Sequence, residues 1–136
     1  MSSEHTFELM TKLGHNMQFF WPLSIYFVIV NSLLEEFFWR GIIMTKIDNL
    51  FPNSKYTGII VSSVAYGAFH YPILELVMFP GWALFGAFLL ATYGALLAVL
   101  YKKTGSLVVP WIAHALLTDL SAILLMLKLF ERLHVQ

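Results

Sequence analysis

Four long apolar tracts constrain this chain more than any other feature of its sequence. They cover residues 19–43, 56–69, 73–101 and 107–130, and a Pro-Gly pair at 80–81 divides the third tract. A helix that crosses a lipid bilayer needs about 20 apolar residues, and the first, third and fourth tracts reach that length. The second tract is shorter and predicts a half-exposed or protein-enclosed helix. The tracts predict an all-α, polytopic membrane bundle of about four spanning helices plus short interfacial helices.

The low content of charged residues supports the same interpretation. They make up 12% of the 136 residues, about half of the roughly 25% that is usual in soluble globular domains. Eight Lys and Arg residues balance eight Asp and Glu residues, and there is no cysteine. This composition excludes a disordered tail, a disulfide-stapled secreted domain and a basic nucleic-acid-binding protein. We therefore expect the lipid bilayer as a partner and no nucleic acid.

Turn residues separate the predicted helices. Segments 48–55 and 102–106 are rich in Asn, Pro, Ser, Gly and Lys, a composition that is typical of turns. Tyr71-Pro72 predicts the end of the second helix, because the residue before a proline is pushed out of helical geometry. Pro110 is expected early in the fourth helix, where its missing N–H group matters least.

The first 18 residues differ from the rest of the chain. Their apolar positions alternate with Glu4, Glu8 and Lys12, which predicts an interfacial helix or a poorly ordered segment over residues 1–18. No basic region precedes a compact apolar core there, so the segment does not resemble a signal peptide. Residues 19–136 contain no internal repeat or linker and predict one membrane-embedded helical domain.

Ionisable residues inside the apolar tracts are the first indication of function, because a charge within a membrane helix is unfavourable and usually functional. At 1.5 Å per residue, Glu35, His70 and His114 lie about 16, 20 and 12 Å from the same side of the membrane. Three titratable groups from three helices are therefore predicted to meet at one level. Asp119 also lies in an apolar tract, and we expect it either to pair with another buried polar group or to face water.

The spacing within the first tract divides its charges between two roles. Glu36 and Arg40 are four residues apart, so they share a helix face and can pair. Glu35 is rotated by about 100° from Glu36, and it is left without that partner. A carboxylate in apolar surroundings can act as a general base near neutral pH. His70 and His114 could bind a metal, orient a water molecule or donate hydrogen bonds to an oxyanion.

These residues resemble the motifs of a known family. Residues 35–40 fit the pattern EExxxR, and residues 66–70 fit FxxxH with Tyr in place of Phe. Thr-Gly-Ser-Leu at 104–107, followed by His114, resembles the turn and last helix that end in HxxxN or HxxxD. In order and separation, over residues 32–125, the chain resembles the CPBP intramembrane protease family (Abi, or CAAX-protease-like), which includes the type II CAAX prenyl endopeptidases.

The resemblance implies an integral membrane protein, in the bacterial inner membrane, that hydrolyses peptide bonds of membrane-associated or prenylated peptides. By the family pattern, Glu35 activates the attacking water with help from His70, Arg40 holds Glu36, and His114 stabilises the oxyanion. Two chemistries stay open. Glu35, His70 and His114 with a water would make an open zinc site, as in a metalloprotease, whereas a glutamate–histidine mechanism requires no metal. Bacterial members are also associated with bacteriocin immunity.

The last motif departs from the family pattern. Thr118, rather than Asn or Asp, occupies the fourth position after His114, and Asp119 follows one residue later, about 100° further round an α-helix. The Thr118 hydroxyl could donate one hydrogen bond, so Thr118 is kept among the catalytic candidates as part of a weakened oxyanion site. The alternative is a catalytically inactive scaffold, an immunity protein or a small subunit that assembles with other membrane subunits.

Overall fold

The computed structural model describes residues 20–124 and 127–128, which fold as helices joined by short loops. Helix α1 spans residues 20–50, α2 spans Thr57–Val77, α3 spans Ala83–Thr104 and α4 spans Val108–Leu124. No strand occurs in this part of the chain, and the predicted all-α membrane bundle is confirmed. The segment predicted at residues 1–18 lies outside the described residues.

Two of the helices are long and apolar enough, by length and composition, to cross a membrane. They are α2, with 21 residues, and α3, with 22. Helix α4 is a shorter apolar helix as far as Leu124, and residues 127 and 128 are helical as well. Pro110 occupies the third position of α4, as expected, because the first turn of a helix has no use for that N–H group.

Helix α2 corrects two expectations. The helix does not end at Tyr71-Pro72 but continues through Pro72 to Val77, so it is long enough for a span and includes residues 73–77, which were assigned to the third tract. A proline removes one N–H group, and membrane helices tolerate this loss. The chain leaves the helix only at Met78, which is extended, and turns at Gly81, whose φ of 85° favours glycine.

Three short π-helical stretches interrupt the helices near the predicted site. Two lie in α1, at Tyr26–Asn31 and Phe37–Met44, and the third lies in α4, at Ala115–Asp119. The residues that join them keep right-handed helical torsion angles, so the helices stay continuous. A π turn closes its hydrogen bonds over five residues instead of four and is often found at functional sites. Each stretch therefore changes which side chains share a face.

Small residues let the central helices approach closely. A Cβ atom at Gly67 of α2 would collide with the carbonyl oxygen of Ala87 and with Ala91 of α3. Close approach through small residues is the usual way in which membrane helices pack. Gly94 of α3 lies against Tyr66 in the same way, because a Cβ atom at Gly94 would stand 3.0 Å from the tyrosine ring. The α2–α3 pair forms the platform against which α1 and α4 place their polar residues.

Burial in the bundle is reversed relative to a soluble protein. Large apolar side chains such as Val64, Leu84 and Leu96 are 60%, 72% and 61% exposed, as expected when lipid surrounds the helices. A set of polar side chains among the described residues is instead buried. The buried polar residues are Ser24, Ser32, Glu36, Arg40, Ser62, Ser63, His114 and Asp119.

Candidate active site

A buried ion pair forms the base of the site. Arg40 Nη1 donates to Glu36 Oε1 at 2.7 Å, and neither side chain is more than 1% exposed. Arg40 Nη2 donates to the carbonyl oxygen of Gly94 at 2.9 Å, and the guanidinium lies 5.1 Å from the ring centre of Tyr66. The pairing predicted from the spacing is confirmed, and one arginine ties α1 to both α2 and α3.

His114 is held directly by this pair. Its Nδ1 atom lies 2.7 Å from Glu36 Oε1, and Nδ1 must be the donor because an ionised carboxylate can only accept. The other ring nitrogen, Nε2, lies 3.8 Å from Glu35 Oε2 and 3.5 Å from Asp119 Oδ1. The orientation of the ring is therefore fixed from one side, while Nε2 faces two further carboxylates.

Glu35 and His70 form the more open side of the site. His70 Nδ1 lies 2.8 Å from the carbonyl oxygen of Tyr66, so Nδ1 donates there and the neutral ring keeps a lone pair on Nε2. His70 Nε2 lies 3.7 Å from Glu35 Oε2. Glu35 and His70 are 19% and 18% exposed, unlike the fully buried Glu36 beside them.

The predicted meeting of three titratable groups is present in the structure. Glu35 Oε2 lies 3.7 Å from Nε2 of His70 and 3.8 Å from Nε2 of His114. Both distances exceed that of a hydrogen bond. A carboxylate oxygen between two imidazole nitrogens is an arrangement suited to proton transfer.

Asn31 also contacts the site, and it was not predicted from the sequence. Its Nδ2 atom donates to Glu35 Oε1 at 2.9 Å. Asparagine carries no charge, so a search for ionisable residues in apolar tracts passes over it. Its position four residues before Glu35, on the same helix face, was the signal that could have found it.

Asp119, and not Thr118, is the residue that the structure brings to His114. The angle of about 100° expected between the two positions assumed an α-helix, whereas Ala115–Asp119 forms a π turn. In a π turn a residue comes to lie over the one five positions earlier, which for Asp119 is His114. Thr118 is directed elsewhere, beside the hydroxyl of Tyr93. Asp119 is buried, and of the two expectations for it, pairing with a buried polar group is what the structure shows.

The donor set does not fit a metal ion as it is arranged. Within residues 20–124 and 127–128, no group of three or more His, Cys, Asp or Glu side chains has the geometry to hold one. The zinc ligands that the sequence suggested were Glu35, His70 and His114. Their reactive atoms converge, but Nε2 of His114 is shared between Glu35 and Asp119 instead of facing a common centre.

Three buried carboxylate oxygens around His114 have no hydrogen-bond partner among the described residues. They are Glu35 Oε2, Glu36 Oε2 and Asp119 Oδ2. Buried polar atoms in folded proteins are nearly always paired, so each exception needs an explanation. Three exceptions around one imidazole indicate a site that is built to meet further polar atoms.

A family model described as type II CAAX prenyl endopeptidase Rce1-like matches residues 17–118, which include Glu35, His70 and His114. No curated protein and no solved structure matches the chain. The resemblance found in the sequence is confirmed at the level of the family, which is one of membrane-embedded proteases. The chain belongs to the Rce1-like family of type II CAAX prenyl endopeptidases.

Proposed function

We propose that this protein is an intramembrane endopeptidase that hydrolyses a peptide bond of membrane-associated or prenylated peptides, with Glu35 as the general base. The observation that carries the proposal is the position of Glu35 Oε2 between Nε2 of His70 and Nε2 of His114, at 3.7 and 3.8 Å. The family supports a CAAX-type endopeptidase. The choice of substrate and the roles of the individual residues are our proposal.

In the proposed reaction, Glu35 Oε2 takes a proton from a water molecule whose oxygen attacks the scissile carbonyl carbon. His70 orients the same water through the lone pair on Nε2. When the tetrahedral intermediate collapses, the C–N bond breaks and Glu35 passes the proton to the leaving amine nitrogen. Glu35 is suited to this exchange because its Oε2 atom has no hydrogen-bond partner among the described residues.

His114 is assigned to the oxyanion. Its ring is oriented by the bond from Nδ1 to Glu36 Oε1, and with a proton also on Nε2 it can donate to the oxygen that becomes negative in the intermediate. Donors that are fixed before the reaction stabilise such charge most effectively. Glu36 and Arg40 keep this donor in place and do not contact the substrate in the proposal.

One of the grounds for a non-catalytic scaffold, immunity protein or subunit is the Thr118 substitution. Asp119 Oδ1 lies 3.5 Å from His114 Nε2, so the acidic group of the last motif is present near His114, and this favours the enzyme. Placement in the bacterial inner membrane and a role in bacteriocin immunity stay predictions from the resemblance.

The test is hydrolysis of a quenched fluorescent, prenylated CAAX-type peptide by the purified protein in lipid vesicles. We expect Glu35→Gln to lower kcat by about 100-fold or more, the range of general-base catalysis. Glu75→Gln is the matched control, because Glu75 lies on α2, is exposed, and bonds only to Tyr71 within the described residues. Full activity of Glu35→Gln would overturn the proposal.

A further inference from the structure

We propose that Asn31 is a positioning residue that holds the Glu35 carboxylate so that its Oε2 atom faces the two histidines. The inference rests on the proposed function of Glu35 and adds a residue that the motifs do not include. Asn31 Nδ2 donates to Glu35 Oε1 at 2.9 Å. The two oxygens of Glu35 are therefore unequal, since Oε1 is anchored and Oε2 has no hydrogen-bond partner in the described part of the chain.

Glu35 needs such an anchor because little else restrains it. A glutamate side chain has several rotatable bonds, and ordering it has an entropic cost. Glu35 is 19% exposed, and the bond from Asn31 is the one side-chain hydrogen bond that it makes among the described residues. Glu36, one residue away, is instead held by Arg40 and His114 at 2.7 Å each. The amide of Asn31 supplies one directional bond where the neighbouring carboxylate has two.

The turn that carries Asn31 is itself fixed to α4. Trp111 Nε1 donates to the carbonyl oxygen of Ile29 at 3.0 Å and to Ser32 Oγ at 3.1 Å. These bonds lie on either side of Asn31 in sequence. Asn31 also ends the first π stretch of α1, and π turns re-aim side chains at functional sites. The chain of contacts runs from Trp111 through this turn to Asn31 and then to Glu35.

The amide group is chemically suited to this role. Asn31 stays neutral, so it donates to the carboxylate without neutralising it as a lysine or arginine would. A carboxylate that is oriented and still charged is what a general base requires. A polar side chain in the apolar run 25–34 also needs a partner in the membrane, and Glu35 is the partner that the structure provides.

Kinetics in vesicles separate positioning from a structural role. We expect Asn31→Leu to lower kcat by about 10- to 100-fold, the effect of a misplaced reactive group, with KM within about twofold of wild type because the residue does not contact the peptide. Asn31→Gln keeps an amide donor and is expected to retain most of the activity. Asn49→Leu, at the exposed end of α1, is the matched control.

Asn31→Asp removes the donor without changing the size of the side chain, and we expect the same fall in kcat. This second variant tests the inference even if Asn31→Leu does not fold. Wild-type kcat in Asn31→Leu or Asn31→Asp, beside an inactive Glu35→Gln, overturns this inference and leaves the proposed function standing. A loss confined to KM overturns it as well. An active Glu35→Gln overturns the proposed function, and the inference falls with it.

Discussion

The site has two halves that meet at Glu35 and Glu36, which are neighbours in sequence. In the buried half, Glu36, Arg40 and His114 are joined by contacts of 2.7 Å and are at most 2% exposed. In the open half, Asn31, Glu35 and His70 are partly exposed, and Glu35 stands 3.7 Å from His70. Contacts this different on adjacent residues fit the proposed division between a group that fixes geometry and a group that exchanges a proton.

The comparison also shows why neither half suffices alone. A buried carboxylate that is held by an arginine and a histidine is restrained too well to act as a base, and an unpaired charge in the membrane needs a rigid support. His114 joins the two requirements, since Nδ1 bonds to Glu36 at 2.7 Å and Nε2 lies 3.8 Å from Glu35. Each half can be disrupted separately by substitution, and the expected effects differ in size.

The largest effect on stability is expected from the buried half. Arg40→Met removes the guanidinium from its buried pair with Glu36, and removal of one partner of a buried pair costs about 3–5 kcal/mol. Unfolding of the purified protein in detergent micelles measures this loss. Lys46→Met is the control, because Lys46 is exposed on the same helix. An Arg40→Met protein as stable as Lys46→Met would show that the buried half does not act as the support.

The next largest effect is expected at Asp119, which lies beside His114, the residue that contacts both halves of the site. Asp119→Ala removes the carboxylate 3.5 Å from His114 Nε2, and we expect kcat to fall by about 10- to 100-fold, as for a displaced catalytic group. Thr118→Ala is the matched control and should change kcat by less than about threefold, since Thr118 lies beside Tyr93 instead. The reverse ranking in the peptide assay would restore Thr118 as the functional position.

A smaller effect is expected when the π turn itself is removed. Deletion of Leu117 leaves four residues from His114 to the aspartate, so an ordinary α-turn would place the acid on the histidine face. We expect activity to stay within about tenfold of wild type, because the acid stays close to His114. Some loss is expected, since a displacement of 1 Å can lower a rate by about 100-fold. An alanine inserted after Leu117 moves the acid off that face and should abolish hydrolysis. Equal activity of the two variants would contradict the role of the π turn.

The smallest effect is expected at Trp111, which holds the turn that carries Asn31 of the open half. Trp111→Phe removes the indole donor to Ile29 and Ser32, and the loss of such bonds costs about 1 kcal/mol in the free energy of unfolding. Trp82→Phe, at the exposed start of α3, gives the baseline for the loss of an indole. The kcat values of Trp111→Phe and Trp82→Phe in the peptide assay show whether the position of the Asn31 turn depends on Trp111. Identical kcat values would argue that it does not.

Much of this arrangement could be predicted from the sequence, because it depends on regular helices. A constant rise per residue placed Glu35, His70 and His114 at one level, and the i,i+4 rule paired Glu36 with Arg40. Both results survive small errors in the ends of the helices. The family resemblance rested on the same residues and is confirmed.

What could not be predicted is where the helices are irregular. The prediction that the second helix ends at Pro72 was wrong, because a proline in a membrane helix is tolerated when its surroundings allow it. The π turn at Ala115–Asp119 has no marker in its own residues, because contacts with other helices decide whether a turn closes over four residues or five. The contact of Asn31 with Glu35 depends on the rotamers of both side chains, which the spacing in the sequence does not determine.

The π turn of α4 has a consequence for how related genes are interpreted. One additional codon between the histidine and the acid shifts the motif from HxxxD to HxxxxD, yet the folded helix absorbs the additional residue and keeps the acid beside the imidazole, with 3.5 Å between Nε2 and Oδ1. The family match ends at residue 118, immediately before that acid. A sequence that lacks Asn or Asp at the fourth position after the histidine should therefore be inspected for an acid at the fifth.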